Sequence, residues 1–180
     1  MSPIPQMITL VGAGLNGPLL ALGLAQRGFD CEIYERRADM RKVRLSAGRS
    51  INLALSTRGI HALTQAGLWE SMGDIVIPMK GRMMHALSGE LTFQPYGKNE
   101  SEVINSISRA ELNVALMNAA ETAGVRIHFE KRCTGIDLKT GAIQIRDEQT
   151  GEESSVQTKV VIGCDGSASA MRDEMFTLNR

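Results

Sequence analysis

A glycine-rich turn near the start of the chain limits the possible folds more than any other feature. Gly12, Gly14 and Gly17 match the pattern G-x-G-x-x-G and follow the short apolar run of residues 7–12. In such a turn the first glycine permits a tight bend and the second lets the backbone approach a pyrophosphate. The third allows a helix to pack closely against the strand. The pattern therefore predicts a strand, a turn and a helix, with an anion site at the helix N-terminus.

The residues after this turn predict the rest of a β-α-β unit. A helix is expected from about residue 15 to a stop at Gly28, and residues 29–35 are typical of a second strand that ends at Glu35. An acidic residue in that position accepts hydrogen bonds from an adenosine ribose. The alternative is a purely structural turn with a solvated Glu35. Strand, turn, helix and acid together favour a dinucleotide site.

The remaining patterns predict an α/β fold, in which a Rossmann-like parallel sheet is followed by a small antiparallel β-meander. The meander is expected over residues 134–163, which contain two Thr-Gly turns. An extended pair is expected on either side of Ser88-Gly89. Ser108 and Glu111 form a capping box at the start of a long helix.

Two further helix boundaries can be placed from the sequence. Ser56 is expected to cap a second helix, which should stop at Gly67. Gly124 is expected to end the helix that begins with the capping box.

Composition excludes several functional classes. Lys plus Arg number 20 and Asp plus Glu number 20, so no net field would attract nucleic acid or an anionic membrane. No apolar run reaches the roughly 20 residues that span a bilayer, and no signal peptide is recognisable. Cys31, Cys133 and Cys164 show no C-x-x-C spacing. We expect reduced thiols, no metal site and a cytoplasmic protein.

Residues 36–56 leave two interpretations open. The basic stretch is either a solvated surface or a group of side chains that neutralises cofactor phosphates. Its cationic members are Arg36, Arg37, Arg41, Lys42 and Arg44. The segment G-R-S-I-N-L-A-L-S that follows, residues 48–56, is expected to be a buried connection.

Four other residues also remain ambiguous on spacing alone. Arg82 and Tyr96 flank the extended pair and could bind a carboxylate, but spacing favours an exposed strand arginine. Arg109 is either an exposed first-turn residue or a cofactor contact. Asp165 is by default a simple turn residue, and at a sheet edge it would face a ligand crevice instead.

Seven motifs in chain order resemble those of the kynurenine 3-monooxygenases, which are single-component FAD-dependent aromatic hydroxylases. The motifs are G-A-G-L-N-G-P, I-Y-E-R-R, G-R-S-I-N-L-A-L-S-x-R-G, I-P-M-x-G-R-M-M-H, P-Y-G, S-I-S-R-A-E-L-N and G-C-D-G. The resemblance extends from about Met7 to Arg172. The third and fourth motifs are the most specific to this family.

The resemblance implies a role for each matching residue. Arg82 and Tyr96 match the pair that holds the carboxylate of kynurenine. Cys133 replaces a residue near the adenine and would act through its backbone, and Ala54 lies in a segment that approaches the flavin. The residues implied to contact FAD are Gly12, Gly14, Asn16, Gly17, Glu35, Arg36, Arg37, Ala54, Arg109, Cys133, Asp165 and Gly166. The last two also match a motif associated with NADPH.

The implied reaction uses FAD as cofactor and NADPH as co-substrate. L-kynurenine and molecular oxygen are the implied partners, and 3-hydroxykynurenine is the product. The protein would position flavin and substrate and exclude water, so no catalytic acid–base pair is demanded. A flavoprotein that acts on another aromatic acid, or a nucleotide-binding piece without activity, remains the alternative.

The length of the chain adds one expectation. Members of this family are more than twice as long as these 180 residues. We expect residues 1–180 to be the N-terminal part of an FAD-binding domain, incomplete relative to the family and inactive alone. Residues 79–107 would contribute the start of the substrate-binding region. Apolar surface left uncovered would then favour self-association.

Overall fold

A computed structural model describes residues 7–42, 51–100 and 102–177. The chain divides into two compact units, one of residues 1–46 and 113–180, the other of residues 47–112. The strands are β1 (Ile8–Val11), β2 (Cys31–Tyr34), β3 (Asn52–Leu55), β4 (Val76–Met79), β5 (Gly81–His85), β6 (Leu91–Pro95), β7 (Ile104–Ser108), β8 (Arg126–His128), β9 (Lys131–Asp137), β10 (Ala142–Asp147), β11 (Glu153–Gln157) and β12 (Val160–Gly163). The helices are α1 (Asn16–Ala25), α2 (Thr57–Gln65), α3 (Arg109–Thr122) and α4 (Ala170–Thr177), with a 3-10 helix at Trp69–Ile75.

The first unit is built on a parallel sheet in the order β12-β1-β2-β8. Leu10 of β1 and Ile33 of β2 are fully buried, as expected for strands covered on both faces. β1, α1 and β2 form the predicted β-α-β unit. The predicted α/β fold with a parallel sheet is therefore confirmed.

Glycine ends the helix at all three predicted positions. After α1, Gly28 has φ +86°, and the Phe29 N–H donates to the Leu24 carbonyl at 3.2 Å. A left-handed glycine, followed by a residue whose N–H makes the same kind of backbone hydrogen bond, also occurs at Gly67 and at Gly124. These are Schellman motifs, which satisfy the last carbonyls of a helix.

The predicted meander is also present, as the antiparallel sheet β11-β10-β9. Its predicted last strand, residues 160–163, is not part of it, because β12 pairs with β1 in the parallel sheet. The two turns of the meander share the sequence pattern D-x-x-T-G. The Asp137 carboxylate accepts from the Lys139 N–H at 2.8 Å, and the glycine that closes this turn, Gly141, has φ +76°. Asp147 and Gly151 form the second turn in the same way. A shared core joins the meander to β1 and α4; it consists of Val11, Cys133, Ile136, Ile143, Ile145 and Met171.

The second unit contains the antiparallel sheet β3-β7-β4 and the hairpin β5-β6. The predicted extended pair around Ser88-Gly89 is this hairpin. The buried connection predicted for residues 48–56 is wrong where the structure describes it. Residues 52–55 form the edge strand β3, and Ile51, directly before it, is 59% exposed. An edge strand is covered by a neighbour on one side only, so an apolar run there need not be buried.

The hairpin carries large apolar side chains on its surface. Those at least 44% exposed are Met83, Met84, Leu87, Leu91 and Phe93. Uncovered apolar surface of this kind favours association, and self-association of the chain stays a prediction. None of the helices in the described ranges has the length and apolar character needed to cross a membrane.

Arg41, from the basic stretch, ties the segment after β2 to α3. Its guanidinium donates to both carboxylate oxygens of Asp39, at 2.8 and 2.9 Å, and also to Asn118 and Glu121 of α3. It also lies 5.5 Å from the centre of the Phe129 ring, in cation–π geometry. The Asp39 side chain is 6% exposed, and the hydrogen bonds from Arg41 lower the pKa of this carboxyl. Arg41 is therefore structural, and neither of the two interpretations of the basic stretch describes it fully. Arg44 lies outside the described residues.

Replacing Arg41 tests this tie. Arg41→Met removes the guanidinium from the buried Asp39 carboxylate, so we expect the free energy of unfolding in urea to fall by about 2 kcal/mol. Because the pKa of Asp39 is lowered on folding, this difference should be present at neutral pH and shrink as the pH falls below 3.8, its ordinary value. Lys42 also contacts Asp39, at 3.8 Å, but its side chain is 82% exposed. The control Lys42→Met should change stability by less than about 0.5 kcal/mol; equal losses would contradict the assignment.

Candidate cofactor site

Two of the three turn glycines are required by packing within the chain. Gly12 has φ +101°, and a Cβ there would lie 2.6 Å from the Cys164 carbonyl oxygen. A Cβ on Gly17 would lie 2.0 Å from the Gly12 carbonyl oxygen. Neither position can hold a larger residue without displacing backbone.

Gly14 is different, because its missing side chain faces open space. A Cβ at Gly14 would have no atom of the described residues within 4 Å. Packing among the described residues therefore does not require glycine at this position. The absence of a side chain matters only to something that approaches from outside, as the sequence pattern predicts for a pyrophosphate.

The N-terminus of α1 lies directly after this open position. Leu15 is the N-cap residue and makes no side-chain hydrogen bond to the helix, and the first turn contains no acidic residue. The first N–H groups of α1, beginning at Asn16, therefore lack a side-chain cap. Uncapped N–H groups together with the helix dipole favour a bound anion.

Glu35 lies at the end of β2, beside the turn, and is 5% exposed. One carboxylate oxygen accepts from the Ala13 N–H at 2.7 Å, and the other accepts from the backbone and Nε of Arg37, at 3.0 and 2.8 Å. Burial opposes ionisation, but the hydrogen bonds from Arg37 and Ala13 outweigh it and lower the pKa of Glu35. An ionised acid at this place has the acceptor chemistry that ribose hydroxyls need.

The backbone around Glu35 is held by the turn between β8 and β9. The Lys131 N–H donates to the Glu35 carbonyl at 2.9 Å, and the Glu130 N–H donates to the Arg37 carbonyl at 3.1 Å. Glu130 adopts φ +58°, a left-handed conformation unusual for a residue with a side chain. Arg36 is exposed, and the Arg37 side chain is 60% exposed. The side chains of Arg36 and Arg37 therefore lie at the surface, next to the Glu35 carboxylate, whose position is fixed.

The D-G segment lies at the same edge of the sheet. β12 is paired with β1, and the Cys164 N–H donates to the Val11 carbonyl at 2.7 Å. Asp165 is half-buried and accepts from the Met171 N–H of α4 at 3.4 Å, while Gly166 is exposed with φ +84°. The chain leaves β1 toward β2 on one side and returns as β12 on the other. Ligands of open α/β sheets bind at such a point.

Cys133 lies on β9 with its side chain in the core. The thiol is within hydrogen-bond distance of the Gly135 carbonyl, at 3.4 Å, and near the Met171 sulfur. Burial raises the pKa of this thiol. The side chain therefore points away from solvent, and any contact with a cofactor must come from the backbone, as the resemblance implies.

Four predicted site residues belong to the second unit: Ala54, Arg109, Arg82 and Tyr96. Ala54 on β3 is exposed and lies opposite Ser106 of β7. Arg109 is the first residue of α3; its side chain is exposed, and its N–H donates to the Ile51 carbonyl at 3.1 Å.

Arg82 and Tyr96 lie on the hairpin of the second unit. Arg82 is directly opposite Gln94, and its Nε donates to the Gln94 side chain at 2.8 Å. The Tyr96 N–H donates to the Lys80 carbonyl at 2.9 Å, which continues the ladder past β6. Side chains alternate along a strand, so Tyr96 is on the face of Gln94 and Arg82. The structure thus places both on one exposed face.

Sequence reasoning missed Asn113, although it ends the motif S-I-S-R-A-E-L-N. This side chain is 6% exposed and donates to the Ala13 carbonyl at 3.2 Å. The available signal was a polar residue in an apolar stripe, because Met117 and Ala120 follow it at helical spacing and are buried.

The comparison with protein families shows the family to which the chain belongs. Residues 6–177 match the family described as FAD binding domain. The chain belongs to that family.

Relatives named kynurenine 3-monooxygenase confirm the predicted resemblance. The protein of Myxococcus xanthus (strain DK1622) is 52% identical over 169 residues, covering 93% of this chain and 36% of the relative. That of Xanthomonas oryzae pv. oryzae (strain MAFF 311018) is 47% identical over 176 residues, covering 97% and 39%. The chain thus spans less than two fifths of the length of these relatives.

Solved structures show the same fold at low sequence identity. The flavin-dependent monooxygenase PieE, in complex with FAD and substrate, matches with a TM-score of 0.77 at 17% identity, covering 98% of this chain and 33% of that one. A tetrameric form of 2-methyl-3-hydroxypyridine-5-carboxylic acid oxygenase matches with a TM-score of 0.72 at 22% identity, covering 96% and 43%.

The residues of the first unit fit an adenine dinucleotide such as FAD. The open Gly14 and the uncapped α1 suit a pyrophosphate, and the ionised Glu35 suits a ribose. The half-buried Asp165 follows the neighbouring strand at the same edge of the sheet. These residues would hold the adenosine and phosphate portion of the cofactor.

Replacing a glycine that packs against backbone and replacing the open Gly14 should have different effects on stability and on FAD affinity. Gly17→Ala forces a Cβ onto the Gly12 carbonyl, so the free energy of unfolding should fall by about 3 kcal/mol or more. Gly14→Ala meets no atom of residues 7–42, 51–100 or 102–177, so stability should stay unchanged or rise by up to about 1 kcal/mol, while FAD affinity falls about tenfold. Urea unfolding and titration of FAD fluorescence measure the two quantities. A Gly14→Ala variant that unfolds as easily as Gly17→Ala, or that binds FAD normally, would contradict this division.

Proposed function

We propose that the protein containing this chain hydroxylates L-kynurenine to 3-hydroxykynurenine, with FAD as cofactor and NADPH and oxygen as co-substrates. The names of its relatives support this proposal. The observation that carries the substrate assignment is the shared hairpin face of Arg82 and Tyr96. We expect the reaction to take place in the cytoplasm.

Arg82 has the chemistry to hold the carboxylate of an amino-acid substrate. Its Nε is already oriented by Gln94, which leaves the two terminal nitrogens of the guanidinium to form a fork toward a carboxylate. Tyr96, on the same face, adds a hydroxyl that can donate a further hydrogen bond. Met84, two residues after Arg82 on β5, adds an apolar side chain to the same face.

Each cofactor-binding residue has a task in this proposal. Gly14 and Asn16 would bring backbone N–H groups to the pyrophosphate, and Glu35 would accept hydrogen bonds from the adenosine ribose. The exposed Arg36 and Arg37 would lie beside the phosphates. The remaining cofactor contacts are assigned to Gly12, Gly17, Ala54, Arg109, Cys133, Asp165 and Gly166.

FAD, when bound, would supply hydride acceptance from NADPH and delivery of one oxygen atom of O₂ to the aromatic ring, the other atom leaving as water. The residues of this chain would bind and orient the two partners of that chemistry. Arg82 and Tyr96 would fix the amino-acid end of kynurenine, so that the distal aromatic ring takes a reproducible position. Positioning of this kind needs no acid–base pair from the chain.

Replacing Arg82 tests the substrate assignment in the enzyme that contains this chain. Arg82→Met removes the fork, so the KM for L-kynurenine should rise about 100-fold while the FAD content stays unchanged. Kynurenine-dependent oxidation of NADPH and formation of 3-hydroxykynurenine measure the effect.

The control for this test is Arg146→Met, which removes an exposed arginine from the meander strand β10. It should leave both the KM and the FAD content as they are. An Arg82→Met enzyme with unchanged KM would favour a flavoprotein for another aromatic acid. A parent enzyme that contains no flavin would contradict the proposal as a whole.

A further inference from the structure

Asn113 of α3 occupies a position that neither the sequence motifs nor the cofactor assignment explains. Its amide nitrogen donates to the Ala13 carbonyl at 3.2 Å and contacts the Met40 sulfur at 3.3 Å. Its side-chain oxygen is buried and has no hydrogen-bond partner among the described residues. The Ala13 carbonyl fixes the orientation of the amide, since the flipped form would place two oxygens against each other.

This arrangement is unfavourable if Asn113 serves only to fill the core. A buried polar atom without a partner destabilises the fold, because it has lost its hydrogen bonds to water and gained none in return. An apolar side chain at this point of the stripe would avoid that cost, as Met117 does one turn further along α3. The hydrogen bond to Ala13 is what an asparagine provides here and an apolar residue does not.

The carbonyl that Asn113 holds belongs to the peptide between Ala13 and Gly14. A trans peptide is planar, and its N–H points opposite to its C=O. By fixing the Ala13 carbonyl on the side of α3, Asn113 therefore directs the Gly14 N–H away from α3. No described residue accepts a hydrogen bond from that N–H, and Gly14 faces open space.

Glu35 restrains the peptide on the other side of Ala13. Its carboxylate accepts from the Ala13 N–H at 2.7 Å, which fixes the peptide between Gly12 and Ala13. The two peptides on either side of the Ala13 Cα are thus held by two side chains from different elements. Ala13 itself is 1% exposed, so neither peptide can rotate without breaking buried hydrogen bonds.

We infer that Asn113 is a positioning residue for the cofactor, which orients the Gly14 N–H toward the pyrophosphate of FAD by holding the Ala13 carbonyl. This inference rests on the proposed FAD site. Asn113 acts through the backbone of the turn and does not contact the cofactor. Its effect is therefore on the affinity of the folded chain for FAD.

The test compares Asn113→Ala with Asn118→Ala, the same change at an exposed position of the same helix. FAD affinity is measured by flavin fluorescence, at a temperature where circular dichroism shows both variants fully folded. Asn113→Ala should weaken FAD binding about tenfold, whereas Asn118→Ala should change it less than twofold. Hydrogen exchange should accelerate in a peptide covering residues 12–18 of Asn113→Ala, and not in the meander.

Each result decides between the proposals. A wild-type chain that binds FAD, with an Asn113→Ala variant that binds it equally well, overturns this inference and leaves the FAD site intact. A merely structural role would lower the melting temperature without changing the FAD affinity of the folded variant. A wild-type chain that binds no FAD overturns both the site and the inference. If Asn113→Ala does not fold, Asn113→Leu, which is close to asparagine in shape and has no donor for the Ala13 carbonyl, is measured against the same outcomes.

Discussion

The close contact of backbone with backbone at the end of β1 is the constraint on which the rest of the structure depends. Gly17 approaches the Gly12 carbonyl, and Gly12 approaches the Cys164 carbonyl, at distances that leave no room for a Cβ. The first contact brings α1 against the turn, and the second brings the strand after the meander beside β1. One short segment therefore sets both the helix position and the sheet order.

Because of this packing, the edge of the sheet presents more backbone hydrogen-bond donors than acceptors. The uncapped N-terminus of α1 and the Gly14 N–H point out of a turn whose internal hydrogen bonds are already satisfied. Glu35 and Asn113 each make a hydrogen bond to the backbone of Ala13 and so keep the turn in one conformation. A site that is rigid before its ligand arrives loses less conformational entropy on binding.

Sequence alone predicted the features that are determined locally. The helix stops at Gly28, Gly67 and Gly124, and the two meander turns, depend on a few neighbouring residues with a required φ. The glycine turn and Glu35 are also features that are determined locally. Their residue types follow from backbone geometry, which a single sequence expresses directly.

The features that sequence did not predict depend on contacts between distant segments. The pairing of β12 with β1 and the Arg41 tie join positions far apart in the chain. Asn113 was missed because its partner, the Ala13 carbonyl, is separated from it by 100 residues. The exposed β3 was taken for a buried connection because apolar composition does not report whether a strand is at an edge.

The glycine turn and the D-G segment are proposed to form together the adenosine and phosphate portion of an FAD site. Titration of the ¹⁵N-labelled chain with ADP, followed by amide chemical shifts, tests this assignment directly. We expect the largest shifts at residues 13–17 and 164–166, with small shifts in the meander turns. Shifts that concentrate in the hairpin of residues 81–95, or an unchanged glycine turn at saturating ADP, would contradict it.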